Sequence, residues 1–135
     1  MAALFLKEWM EHVRLMPTKT AVIDENGNRS TTYEKMNQVA DQFAGYYQEQ
    51  GIGKGDTIMV AASRRMEYVA AEIGAWKIGC AAVPAADTYP PERILTMQKD
   101  CGCQIIITDE LIERIIDSVG QQKVVEACEF AEHDT

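Results

Sequence analysis

Basic residues are scarce in this chain: 13 Lys and Arg stand against 21 Asp and Glu, a formal net charge of −8. Nucleic-acid binding draws on clustered Lys and Arg that release counterions from phosphates, and the only basic pair of note is Arg64-Arg65, so no nucleic-acid partner is expected. Long apolar runs are missing too. No window approaches the ~18 consecutive apolar residues of a membrane span, and the opening MAALFLKEWMEHVRL interleaves Lys7, Glu8, Glu11 and Arg14 with its apolar residues, so neither a membrane helix nor a signal peptide is expected. Four cysteines do not make a disulfide framework; with no secretory signal, free thiols in a reducing cytoplasm are expected. Histidine is limited to His12 and His133, and neither has partners suggesting a catalytic triad.

What is present fits one globular domain. Hydrophobic residues make up 47% and charged residues 25% of 135 residues, ordinary values for a soluble protein. A chain of this length can withdraw roughly 65 to 70% of its unfolded surface from water around a single core.

The periodicities divide the chain into elements. Apolar residues at Leu4, Phe5, Trp9, Val13 and Met16 predict a helix over 4–15, ended by Pro17. Short strands at 21–24 and 29–31 flank Glu25-Asn26-Gly27-Asn28, where Asn-Gly predicts a hairpin because both turn residues tolerate positive φ. Thr31 and Glu34 have the spacing of a capping box, and Tyr33, Met36, Ala40, Phe43 and Tyr47 form the apolar face of the helix that follows, which stops at Gly51.

From Gly55 onward, strands and helices alternate. TIMVAA over 57–62 is apolar throughout, as for a strand covered on both faces; Ser63 can cap a helix from Arg64 to Ile78 with Met66, Val69, Ala70, Ile73 and Trp76 inward. A strand over 80–85 leads into Tyr89-Pro90-Pro91-Glu92. There Thr88 or Tyr89 is the expected cap, and Pro90 and Pro91 start a helix that reaches about Asp100 and is stopped by Gly102. A strand over 103–108 and an Asp109-capped helix through Val119 come next, and KVVEACEF over 123–130 could open another strand. Short connections between alternating strands and helices imply right-handed crossovers, hence an α/β fold: a layered, mainly parallel sheet with flanking helices and a small N-terminal hairpin.

Four stretches invite a chemical reading. Gly51 to Asp56 contains three glycines, but it follows a helix and precedes a strand, so its N–H groups face the wrong way for a phosphate loop; it is read as a turn. Ser63-Arg64-Arg65 sits at the strand-to-helix end of the sheet, where an anion could dock, although an exposed cap with solvated arginines is the commoner use. Cys101-Gly102-Cys103 suggests metal or redox chemistry; lacking a second cysteine pair, these are better read as small residues at a helix end and a strand start. Tyr33, Trp76 and Tyr89 are read as packing aromatics rather than a cofactor pocket.

The wording from Thr31 to Ile94 resembles the opening motifs of adenylate-forming (AMP-binding) enzymes, most of all nonribosomal peptide synthetase adenylation domains and D-alanine carrier-protein ligases. Thr32, Tyr33 and Glu34 match a TY-x-E-L helix start, Gly51 to Met59 a G-x-x-x-GD-x-V turn and strand, and Trp76 to Ile94 the W/L-K-A-G-A-A-Y-V-P-L-D-P-x-Y-P-x-E-R-I stretch. Met36 stands for the usual Leu, Ile78 and Cys80 for Ala, and Ala85-Ala86 for Leu-Asp.

The resemblance implies that residues 1–135 are a single N-terminal subdomain, a fragment of a longer adenylation domain. The family's phosphate loop with its Lys, its adenine and ribose contacts and its catalytic Lys would then lie beyond Thr135, leaving no catalytic, cofactor-binding or metal-binding residue in this chain and an inactive fragment. For the parent it implies ATP and Mg, an aminoacyl adenylate, and transfer to a phosphopantetheine thiol on a carrier protein. The start at Met1, just before the first family-like helix, leads one to expect no preceding condensation domain. The partners implied are the parent's remaining subdomains, with self-association through the surface they would cover. The alternatives are an acyl-CoA synthetase fragment and a stand-alone, non-catalytic α/β interaction module.

Overall fold

The computed structural model describes residues 2–24, 29–63 and 65–118. The expected Asn26-Gly27 turn, Arg64, the end of the last helix at Val119 and the possible strand over 123–130 lie outside the described residues. Ten elements follow in order: α1 (Ala2–Leu15), β1 (Thr20–Asp24), β2 (Arg29–Thr32), α2 (Tyr33–Glu49), β3 (Thr57–Ala61), α3 (Met66–Lys77), β4 (Ala81–Ala85), α4 (Pro91–Cys101), β5 (Ile105–Ile107) and α5 (Asp109–Ser118). β1 and β2 pair antiparallel, and a second sheet has the order β4-β3-β5 with both pairings parallel.

The central place of β3 explains its unbroken apolar sequence. Ile58, Val60 and Ala62 join the main core with α2, α3 and α5, whereas Met59 and Ala61 point to the other face, with Ala85, Cys103 and the partly buried Ile94 and Met97 of α4. The chain leaves β3 for β4 through α3, then returns past β3 to β5 through α4. Reversing direction across the sheet while keeping right-handed crossovers requires the second helix to lie on the opposite face. Pro84 has no N–H to give, and it sits on β4, which among the described residues pairs on one side only.

Among the described residues the two faces are unequally covered. α1, α2, α3 and α5 contribute to the first core, while α4 lies on the second with no fully buried residue and with Leu95 59% exposed. On the first face α2 and α3 approach closely because Gly74 has no side chain: a Cβ there would lie 2.7 Å from the Ala40 carbonyl oxygen and 2.9 Å from the Phe43 Cβ.

The starts of α2, α4 and α5 differ from the sequence expectation, each for a local reason. α2 is capped by Thr32, whose Oγ1 accepts from Lys35 N, and not by Thr31 with Glu34; β2 runs on through Thr32 and turns Thr31 into the interior. The N–H groups of Tyr33 and Glu34 are taken by the carbonyls of Lys19 and Pro17, so nothing is left for a reciprocal box. α4 begins at Pro91 with Pro90 as its cap, not with Thr88 or Tyr89: a residue before proline is driven out of the helical region, and Pro90 is extended at φ −64, ψ 152. α5 is capped by Thr108, whose Oγ1 accepts from Leu111 N; Asp109 lies inside the first turn.

Candidate functional site

In parallel sheets the carboxyl ends of the strands are where ligands collect, and here that edge carries a connected set of charges. β2 supplies Arg29, the β3–α3 junction Ser63 and Arg65, the first turn of α3 Glu67, and α5 Asp109 and Glu113. Arg29 grips Glu67 with both ends of its guanidinium, at 3.2 and 3.0 Å. Arg65 reaches Asp109 at 3.1 Å and Glu113 at 3.0 Å, with its Nε 4.0 Å from Glu67. Ser63 donates to Asp109 twice, through N at 3.0 Å and Oγ at 2.8 Å.

This arrangement corrects two expectations. Ser63 does not cap α3; the helix starts later, at Met66, with Arg65 at the cap position and no side-chain cap bond. Nor is Arg65 a solvated arginine, since it is largely covered and engaged by three carboxylates. Burial alone lowers its pKa, but the bond to Glu113 and the charges of Glu67, Asp109 and Glu113 outweigh burial and raise it, so it stays cationic. For Asp109, burial raises the pKa, while the hydrogen bonds from Ser63 and the charge of Arg65 prevail and hold it below the usual carboxylate range. No local sequence signal announced this network, because its hydrogen-bonded partners are up to 48 residues apart.

The arrangement can fix the β3–α3 and β5–α5 junctions relative to each other. It offers little to a cation: Glu67 is committed to Arg29, and Asp109 and Glu113 to Arg65, and among the described residues no group of three His, Cys, Asp or Glu could hold a metal ion. A magnesium ion does not fit these residues.

The other sequence candidates are scattered. Gly51 to Asp56 forms a turn closed on itself, with Asp56 Oδ2 accepting from Gly53 N at 2.9 Å and Gly53 O accepting from Asp56 N at 3.0 Å. Tyr33 and Trp76 belong to an aromatic group on α1, α2 and α3, in which Phe5 meets Trp76 at 5.1 Å and Trp9 meets Tyr33 at 5.2 Å. Tyr89 lies apart, on the α4 side, with the Arg93 guanidinium 3.9 Å above its ring. His12 packs edge-on to Tyr33, and His133 lies outside the described residues. Cys101 ends α4 and Cys103 leads toward β5, as expected.

The fold is that of an α/β layered domain built on a parallel sheet. Residues 9–135 match the model of the AMP-binding enzyme family, and the chain belongs to that family. It is 32% identical over 113 residues to one of the linear gramicidin synthase subunits of Brevibacillus parabrevis, a match covering 84% of this chain and 2% of the relative. It is 37% identical over 100 residues to bacitracin synthase 3 of Bacillus licheniformis, covering 73% of this chain and 2% of the relative. Among solved structures, the N-terminal subdomain of Klebsiella oxytoca NpsA in complex with 3-hydroxyanthranilyl-AMSN superposes with a TM-score of 0.75 at 22% identity, covering 85% of this chain and 31% of that one. The chain thus spans about 2% of the length of these curated relatives and about a third of the structural neighbour. Among the described residues, no helix is long and apolar enough to cross a membrane.

Proposed function

We propose that residues 1–135 serve as the N-terminal scaffold of an enzyme that activates the carboxylate of an amino acid with ATP and passes the acyl group to a phosphopantetheine thiol on a carrier protein. The observation that carries this reading is the likeness to the linear gramicidin and bacitracin synthases over most of the chain, at 32 and 37% identity. In the reaction, a carboxylate oxygen attacks the α-phosphorus of ATP, pyrophosphate leaves, and the thiol then displaces AMP from the acyl adenylate. On this reading the residues that bind and orient those groups lie in the remainder of the parent. ATP and its magnesium ion belong to the remainder of the parent, and the role of this chain is to hold the first strands and helices in place.

Its partner in that reading is the rest of the enzyme, laid against the thinly covered α4 face, with a carrier protein as the acceptor and the cytoplasm as the setting. The test is amino-acid-dependent ATP–pyrophosphate exchange by the parent enzyme, assayed against the proteinogenic amino acids and a panel of fatty and aryl acids. Exchange with an amino acid supports the reading, exchange with fatty or aryl acids alone transfers the chain to an acyl-CoA synthetase, and no exchange with any acid leaves a non-catalytic module. Residues 1–135 alone are expected to give none.

A further inference from the structure

We propose that Cys101 and Cys103 form a modification site: a thiol pair that closes reversibly to a disulfide when hydrogen peroxide or a related peroxide reaches it. Three observations support the pairing. Gly102 between them is left-handed, at φ 66, ψ 35, the mirror of the helical turn. Residues two apart across such a turn have Cα atoms about 5.4 Å from each other, by the dimensions of the helix it mirrors, inside the range of about 4.4 to 6.8 Å that disulfides span. The chain also folds back over the last turn of α4, which Cys101 ends: Gly102 N donates to the Lys99 carbonyl at 3.3 Å and Cys103 N to the Gln98 carbonyl at 3.1 Å. Finally, Cys101 is exposed, where an oxidant can reach it, whereas Cys103 is 7% exposed and sheltered by the second core.

The chemistry balances with the peroxide as oxidant. The Cys101 sulfur attacks one peroxide oxygen, the O–O bond breaks, and a sulfenic acid and one water result. The Cys103 sulfur then attacks the Cys101 sulfur; its proton leaves with the hydroxyl as a second water, and the S–S bond forms. Two thiols and one peroxide become one disulfide and two waters, and a reducing thiol reverses the change. Burial first, and the neighbouring Cys101 second, hold the Cys103 thiol above its ordinary pKa. The closing step therefore accelerates as pH rises, because only the thiolate attacks.

The experiment treats the chain with hydrogen peroxide, blocks free thiols with iodoacetamide, and weighs the tryptic peptide from Asp100 to Arg114, which holds both cysteines and no other. The expected result is an unalkylated peptide about 2 Da light, the loss of two hydrogens, restored by dithiothreitol and formed faster at pH 9 than at pH 7. In Cys103→Ser, which lacks the resolving sulfur, Cys101 is expected to be trapped as a dimedone adduct. Wild-type protein in which Cys103 stays alkylatable while Cys101 is trapped or over-oxidised would overturn the proposal, as would a cross-link from this peptide to one carrying Cys80 or Cys128. Because the mapping is done on wild-type protein, a variant that folds poorly does not weaken it.

Discussion

Two glycines in helices that pack together should respond to alanine with opposite signs. Gly45 of α2 has nothing within 4 Å of where a Cβ would stand, so Gly45→Ala removes backbone freedom from the unfolded chain at no steric cost. The expected gain is about 0.5 to 1 kcal/mol. Gly74 of α3 would gain the same propensity, but its Cβ would stand 2.7 Å from Ala40 O and 3.1 Å from Ala44 N, both backbone atoms of α2 that cannot swing aside. Relief requires the whole of α2 to retreat, which loosens the contacts around buried Met36, Phe43 and Tyr47. Overpacking of this kind costs about 1 to 3 kcal/mol, and with rigid backbone as the obstacle the upper half of the range applies. Setting that against about 1 kcal/mol of propensity leaves Gly74→Ala destabilised by about 1 to 2 kcal/mol.

Urea unfolding followed by tryptophan fluorescence reads both variants, since Trp9 is buried in the main core and Trp76 packs against it. The midpoint is expected to rise for Gly45→Ala and fall for Gly74→Ala at unchanged slope. A Gly74→Ala midpoint at or above wild type would refute the claim that absence of a side chain sets the α2–α3 spacing.

The charged edge gives two further predictions. Glu67→Gln takes the negative charge from between Arg29 and Arg65 and should cost about 1 to 3 kcal/mol in urea unfolding, part of it recovered when Arg29→Met is added; strictly additive losses would mean the pair is not coupled. Asp109 has a folded-state pKa below its unfolded value, so its contribution to stability is full above the unfolded pKa, about 3.9, and is lost as pH falls through the lower folded value. Asp109→Asn should therefore flatten the acid limb of a urea-midpoint profile between pH 6 and 2, and an unchanged limb would remove Asp109 from the account.

Elements with a strong repeat were legible in the sequence. The apolar run of β3 needs two covered faces and has them; the 3.6-residue spacing of Met36, Ala40, Phe43 and Tyr47 needs one buried helical face and has it. Helix starts were less legible, because a cap is decided by whichever acceptor the tertiary structure brings near. Thr31 is favoured on paper by Glu34 three residues on, until β2 turns it inward and leaves the cap to Thr32. Asp109 reads as a cap until Ser63, remote in sequence, claims both its oxygens. The edge network was hidden for the same reason: each of its hydrogen bonds joins separate elements, and no short window of sequence contains both partners. The proline corner was readable as rigid, yet its start was placed one residue early, since the constraint that Pro91 puts on Pro90 outweighs the preference of proline for the first helical turn.

The contrast between the two ends of the sheet's covering bears on the scaffold reading. On the charged edge the arginines face carboxylates, with the Arg65 Nε alone left without a hydrogen bond among the buried side-chain atoms of the described residues, whereas α4 covers its face thinly and leaves Leu95 59% exposed. If the rest of an adenylating enzyme lies against that face, the isolated chain should show its lack by weak self-association and by binding of an apolar dye. Leu95→Lys then separates interface from core. An exposed position tolerates the change within about 0.5 kcal/mol, so the urea midpoint should hold while dye binding and sedimentation-detected association both fall. A wild-type chain that sediments as a monomer and leaves the dye dark would show that the α4 face is complete as it stands. The chain would then have to be read as a self-contained module, with the family likeness recording descent and not present assembly.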